Sequence, residues 1–389
     1  MHLAVNLPSP PLTPFRRLAD SRRRVVLGVL ALAAAVAIAA AALAPAAAGA
    51  AAPPRGFMGV TAWDEVSDTQ FRQLAGANVR LYRMDVLWNR VEPRPPRADG
   101  THVYDWRYYD AMFARAARRG VRILPIVHGS PRWAASRPRY QPSSSVAKQS
   151  FDAFAREAAK RYGPSGTRWS RAPWSSASPA PASIRSDYWQ VWNEPNHSGN
   201  WYPGPSPSGY ATLLKRVSRA LKSASPGVRI LAAGLPWPAQ GMNPEPYMAG
   251  MLKVAGLRES VSAFAIHPYG KLPFNVMQRV KSARSALNAN GASSKPMWVT
   301  EIGWASGTYD GSWTVSESQQ ARNLDGLYKE LLASRVSLKL LGAVWFSYQD
   351  HVRQPGEADY WGFRSGLLRA NGSAKPSWTI FAKRARYGY

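Results

Sequence analysis

Eight short apolar runs, each separated from the next by a longer segment, constrain the fold of this chain more than any other feature. They occupy residues 57–63, 79–86, 121–128, 188–193, 228–234, 262–267, 297–301 and 341–347. Their β-branched and aromatic content marks them as strands rather than buried helix. The segments between them carry helical periodicity. Phe151, Phe154, Ala155, Ala158, Ala159 and Tyr162 recur at helix spacing, and Gly163-Pro164 ends that helix. Thr314 stands three residues before Glu317, a candidate capping box ahead of the stripe Leu324, Leu327, Leu331 and Leu332. Alternating strands and helices give a parallel sheet, because parallel neighbours need a crossover. Eight such units over about 335 residues fit an α/β (β/α)8 TIM barrel, one domain over 57–389 after a 53–56 linker. The competing doubly wound sheet announces itself with a glycine-rich phosphate loop after its first strand. Here the first run continues instead as Thr61-Ala62-Trp63-Asp64-Glu65. The Ser/Pro/Ala-rich stretch 163–181 falls between the third and fourth runs and reads as a long βα-type excursion.

The N-terminus reads as an address. Arg16, Arg17, Arg22, Arg23 and Arg24 precede an uncharged apolar run over 25–44, and small residues with A-x-A cleavage options follow to residue 52. Ser21-Arg22-Arg23-Arg24-Val25-Val26-Leu27 loosely resembles a twin-arginine export signal. The expectation is a signal peptide over 1–52, or a retained membrane anchor through 25–44, since the run is long enough to span a bilayer. Either places the remaining chain outside the cytoplasm, as a secreted or extracytoplasmic protein.

Composition removes several classes. There is no cysteine, and the six histidines form no HExxH or comparable ligand pattern. Neither a metal nor another cofactor is expected. The formal net charge is +27, of which six Arg and one Asp in residues 1–55 leave +22 on the rest. Such a surface suits an anionic polymer, but no dense basic run follows Arg24, so nucleic acid is not the expected partner. Oligomeric state is not legible.

Two strand ends place a glutamate in aromatic, apolar company: Trp192-Asn193-Glu194-Pro195-Asn196 after the fourth run, and Thr300-Glu301-Ile302-Gly303-Trp304 after the seventh. A barrel collects its chemistry at the C-terminal ends of its strands. A buried carboxylate is costly unless paired, so each of these could be an ion pair with one of the many arginines. Two together fit glycosidic cleavage, which takes one carboxylic acid for the leaving oxygen and one carboxylate for the anomeric carbon.

At these two motifs the chain resembles the clan A glycoside hydrolases, and in particular family 39 and family 5-like members. That resemblance implies a retaining mechanism, with Glu194 as acid/base on strand four and Glu301 as nucleophile on strand seven. It further implies that Arg83, in Arg83-Met84-Asp85-Val86-Leu87-Trp88, hydrogen-bonds the nucleophile, and that Asn193 holds a sugar 2-hydroxyl. In His267-Pro268-Tyr269 an imidazole or phenol touches the nucleophile. Trp345 floors the subsite at the cleaved bond, and His128, in His128-Gly129-Ser130-Pro131-Arg132-Trp133, lies at the third-strand exit. Trp304 joins the substrate-binding set. Arg83 has a plainer role open to it, an ion pair with Asp85 or Glu92, and His267, Tyr269 and Trp345 could be core residues. Trp63, Trp88, Trp201 and Trp237 are candidate sugar platforms, though packing is the commoner fate of each. As acid, Glu194 is expected to have a raised pKa, from burial and from the Glu301 charge. The implied partner is a β-linked oligo- or polysaccharide. A carbohydrate-binding barrel without catalysis, a transglycosylase, and an anionic-polymer binder driven by surface charge are the alternatives.

Overall fold

The computed structural model describes residues 53–170, 184–307 and 314–388. The expected export segment, with its apolar run at 25–44, lies outside them. Among the described residues, no helix is long and apolar enough to cross a membrane.

All eight expected strands form: β1 (Met58–Thr61), β2 (Leu81–Leu87), β3 (Arg122–His128), β4 (Tyr188–Val191), β5 (Arg229–Pro236), β6 (Ala263–His267), β7 (Met297–Ile302) and β8 (Leu340–Phe346). They pair in parallel in sequence order and close into a barrel through β1 and β8, with Met58 opposite Ala343 and Thr61 opposite Phe346. One principal helix follows each strand: α1 (Asp68–Gly76), α2 (Arg107–Arg118), α3 (Ser145–Tyr162), α4 (Pro207–Ala224), α5 (Pro244–Leu252), α6 (Pro273–Ala289), α7 (Glu317–Ser334) and α8 (Pro376–Tyr387). The (β/α)8 barrel is therefore the fold.

Two local expectations change. The cap of α7 is Ser316, whose hydroxyl accepts from the Gln319 amide, while Thr314 sits in a two-residue strand pair, Ala305–Ser306 with Thr314–Val315. Ser316 has the extended backbone that an N-cap needs and stands immediately before the first helical residue. The 163–181 stretch is not a βα excursion. It follows α3 and precedes β4 in chain order, and its described part, residues 163–170, lies at the end of the barrel opposite the βα loops. Of it, residues 171–181 lie outside the described residues.

Strand alternation divides the core in two. Leu81, Leu124, Tyr188, Leu231, Ala263, Trp298 and Val344 fill the lumen, each from its own strand position. Residues of opposite parity, such as Met297, Val299, Ala343 and Trp345, pack outward against the helices. Glycine makes two of these contacts possible: a Cβ at Gly59 would come 2.8 Å from Leu81, and one at Gly342 would come 2.4 Å from Trp298. The lumen changes character along β2, where Leu81, Arg83 and Asp85 share the inward face in turn. Apolar floor gives way to polar mouth within four residues.

The seam between β1 and β8 continues beyond the strands. The Trp63 indole donates to the Gly362 carbonyl at 3.0 Å. His351 stands between Asp64, 3.1 Å from Nδ1, and Glu357, 3.0 Å from Nε2. Burial opposes the imidazolium, but Glu357 and Asp64 outweigh it and hold the His351 pKa above its ordinary value. The stabilisation is thus complete below the ordinary histidine pKa of about 6.5 and is lost as pH rises through the higher folded value. Thermal melts should show His351→Gln below wild type by about 1–2 °C at pH 5.5, the scale of one partly exposed ion pair. By pH 9 the two should coincide. A gap that persists at pH 9 would assign the effect to packing against Phe363 instead.

Candidate active site

The polar mouth is built by side chains from six strands. On β7 the register against β8 slips: Ala343 faces Val299 and Trp345 faces Ile302, so Thr300 and Glu301 together oppose Val344. This bulge turns both residues toward the lumen, where alternation alone would admit one. After β4 the chain bends sharply, with Trp192 at φ 69° and Glu194 at φ 49°. Two left-handed non-glycine residues cost on the order of 1–3 kcal/mol each. The bend is held by the Trp192 amide on the Val127 carbonyl (3.0 Å), the Glu194 amide on the Gly234 carbonyl (3.2 Å) and the Gln190 amide group on the Trp192 carbonyl (3.0 Å).

Glu301 is nine-tenths buried and both its oxygens are engaged. Arg83 donates from Nη1 to Oε1 at 2.6 Å, and the Tyr269 hydroxyl donates to Oε2 at 2.9 Å. Arg83, itself buried, spends its remaining donors on Gln190 (3.2 Å) and Asn193 Oδ1 (2.8 Å). It pairs with neither Asp85 nor Glu92. Burial and the Glu301 charge push the Tyr269 phenol well above its ordinary pKa, so it stays a donor.

Glu194 accepts from Asn200 Nδ2 at 3.2 Å through Oε2 and meets His267 Nδ1 at 2.8 Å through Oε1. The His267 ring is fully buried. Its Nε2 lies 3.1 Å from Thr300 Oγ1 and 3.5 Å from Glu301 Oε1, so it stands between the two glutamates. Gly234 is the residue that makes room: a Cβ there would fall 1.9 Å from His267 Nε2. The raised pKa expected for Glu194 is not what this arrangement gives. Burial pushes its carboxyl up, but the His267 hydrogen bond and charge, with His197 and Arg83 behind them, hold it below the ordinary glutamate value.

One atom each from Glu194, His267 and Glu301 fall within 4.8 Å of one another. This is the His/carboxylate group among the described residues with the spacing of a metal site. The donors do not fit a cation well, because Arg83 and Tyr269 already occupy the Glu301 oxygens and the guanidinium opposes positive charge there.

Of the other expected residues, Asn193 stands at the site with Nδ2 unused by protein among the described residues. His128 lies at the rim, its Nε2 3.2 Å from Asp85. Burial raises the Asp85 carboxyl, but His128 and then Arg83 bring it below the ordinary aspartate value. Trp345 and Trp304 do not line the site. Both are fully buried, packed on each other at 5.9 Å, with their indoles on the Ser365 and Lys271 carbonyls. Val344 faces the lumen, so by strand alternation Trp345 faces the helices and Phe346 takes the mouth. Trp88 and Trp201 are core as well. Trp63, which is 40% exposed, forms an aromatic wall with Phe346 (5.2 Å) and Tyr360 (5.8 Å), and Trp361 continues it to Tyr269 at 5.0 Å.

Sequence reading missed Asn200, Thr300, Asp85, Phe346 and Trp361. Alternation along Leu81–Arg83–Asp85 and Val344–Phe346 carried the signal for two of them. Trp361 and Asn200 come from loops, whose course no periodicity reports.

Residues 165–338 match the model of a glycosyl hydrolase catalytic core. No curated protein matches the chain in sequence. Among solved structures it is similar to a family 39 glycoside hydrolase from the gut symbiont Bacteroides cellulosilyticus WH2, with 24% identity and a TM-score of 0.63 over 86% of this chain and 64% of that one. A monomeric beta-xylosidase from Caulobacter crescentus CB15 gives 20% identity and a TM-score of 0.61 over 86% and 69% of the two chains. A GH30 endoxylanase from Clostridium papyrosolvens C71 gives 15% and 0.55 over 87% and 73%. The chain thus spans under two thirds of the Bacteroides enzyme. It carries a segment similar to a glycosyl hydrolase catalytic core and shares its fold with these solved glycoside hydrolases.

Proposed function

We propose that this protein is an extracytoplasmic retaining glycoside hydrolase acting on β-linked glycans. The observation that carries the reading is the pair Glu194 and Glu301 at the barrel mouth, with one carboxylate oxygen of each within 4.8 Å of the other. Retaining enzymes hold their carboxyl groups about 5–5.5 Å apart, whereas inverting ones leave about 6.5–9.5 Å for an intervening water.

In the first step a Glu301 oxygen attacks the anomeric carbon. The bond from that carbon to the leaving oxygen breaks, and Glu194, in the protonated fraction that its lowered pKa leaves, gives its proton to that oxygen. Arg83 and Tyr269 hold the nucleophile by both oxygens, so its approach is fixed before the substrate arrives. In the second step Glu194, now a carboxylate, takes a proton from water as that water attacks the anomeric carbon and frees Glu301. Asn193 offers its amide N–H to the sugar 2-hydroxyl, a contact that strengthens in the transition state. The wall of Trp63, Phe346 and Trp361 supplies apolar faces for sugar rings. Export by residues 1–52, with or without cleavage, belongs to the same reading.

The test is hydrolysis of a panel of aryl β-glycosides, with the anomer first released followed by proton NMR. The expected first product has the configuration of the substrate. An inverted first product would overturn the double displacement. Failure to cleave any of the panel or any β-linked polysaccharide offered would leave the barrel as a sugar-binding protein.

A further inference from the structure

Thr300, beside the two glutamates, takes no part in either chemical step. It is fully buried, and its hydroxyl makes its one side-chain hydrogen bond among the described residues with His267 Nε2, at 3.1 Å. The strands place it there. β6 pairs with β7 with Ile266 opposite Val299, so the next residues along, His267 and Thr300, stand side by side. By alternation from Ala265 and Trp298, both face the lumen. Gly234, on β5, backs the ring without a side chain.

A neutral imidazole carries one proton, and its two nitrogens compete for it. Nδ1 lies 2.8 Å from Glu194 Oε1, and Nε2 lies 3.5 Å from Glu301 Oε1, so each nitrogen has a glutamate toward which to donate. Glu194, held below the ordinary glutamate value, is a carboxylate at neutral pH and can only accept. Glu301, which attacks as a carboxylate, already accepts from Arg83 and Tyr269. Neither group can supply a hydrogen to the nitrogen left bare. The Thr300 hydroxyl can, and it reaches Nε2 alone. A donor there leaves Nδ1 as the protonated nitrogen. The remaining charged and titratable groups nearby are engaged elsewhere: Arg83 and Tyr269 on Glu301, Asp85 on His128, and His197, whose Nδ1 accepts from the Gly199 amide.

We propose that Thr300 is a positioning residue: its hydroxyl donates to His267 Nε2 and so assigns the ring proton to Nδ1 and Glu194 instead of to Nε2 and Glu301. This rests on the reading of Glu194 as acid/base and Glu301 as nucleophile. The assignment spares the nucleophile a third donor. It also keeps Glu194 in the form that takes a proton from water in the second step. Thr300→Val removes the hydroxyl at nearly constant shape. The ring proton should then move to Nε2, toward Glu301, and the bare Nδ1 should accept from protonated Glu194, which favours that form.

The tautomer is read by nitrogen NMR of the purified protein with isotope-labelled histidine and no substrate, as pH is raised. The His267 signals are those missing from His267→Asn. The neutral wild-type ring should carry its proton on Nδ1, and that of Thr300→Val on Nε2. In the kcat/KM profile of Thr300→Val the alkaline limb should lie about one pH unit above wild type, the scale of one net hydrogen bond. Thr300→Ser, which keeps the hydroxyl, should return both readouts to wild type. A neutral wild-type ring protonated on Nε2, a ring that stays doubly protonated at every pH, or an Nδ1 proton retained in Thr300→Val would overturn the proposal. So would an unmoved alkaline limb in Thr300→Val. Because the tautomer is read without turnover, its failure and a failed glycoside panel are distinguishable.

Discussion

Glu301→Ala will lower hydrolysis of aryl glycosides by on the order of 10⁴-fold or more, the scale seen when a covalent nucleophile is removed. Added azide should restore turnover and yield a glycosyl azide of inverted configuration. The physical case lies in what the substitution leaves behind. Arg83 Nη1 and the Tyr269 hydroxyl converge on the two oxygens that would be lost. Their donors, one of them a buried cation, then face an empty anion-sized space beneath the anomeric carbon. Azide fills it, attacks once, and cannot be displaced a second time, hence the inversion. An alanine variant with more than a few per cent of wild-type activity would remove Glu301 from the nucleophile's role. So would an azide product of retained configuration.

Glu194→Ala separates substrates by leaving group. Alkyl glycosides, which need protonation, should lose about 10²–10⁴-fold, the usual contribution of a general acid. Activated aryl glycosides should lose far less in the first step and should accumulate the glycosyl-enzyme, so that KM falls together with kcat. Azide should now yield the retained product, by attacking that intermediate. The first step needs the Glu194 proton, so its loss sets the alkaline limb of the wild-type kcat/KM profile. That limb should vanish from the profile of Glu194→Ala on aryl substrates. Equal losses on both substrate classes would mean that Glu194 does not donate the proton.

The barrel was legible in the sequence because each parallel strand, buried on both faces, writes itself as a continuous apolar run. All eight runs lie within a few residues of the strands that formed. The glutamates were legible for the opposite reason, as charges placed where charge is expensive. Arg83, Asn193, His267 and Tyr269 followed from family resemblance; Arg83, His267 and Tyr269 reach the two carboxylates, and Asn193 reaches Arg83. What failed was direction. Trp345 and Phe346 are adjacent, and choosing between them required the parity of β8, which Val344 on the inward face supplies. The inward turn of Glu301 depends on a bulge that no hydrophobic pattern encodes, since Thr300 and Glu301 break alternation without a glycine to mark the place. The pKa of Glu194 was misjudged because it depends on which ring nitrogen meets which oxygen, a matter of ångströms.

The closure of β1 on β8 also bears on how the protein comes to exist. Met58 finds its partner at Ala343, across nearly the whole described chain, and the mouth draws on strands between them. Contacts of such sequence separation make folding slow, because loop entropy is spent before they reward it. Synthesis must then be almost finished before any of the chemistry can begin: with β7 still unmade Arg83 has no Glu301, and with β8 unmade β1 has one open edge. A chain stopped short of β8 should hold no fraction of the activity, only exposed strand edges and a tendency to aggregate.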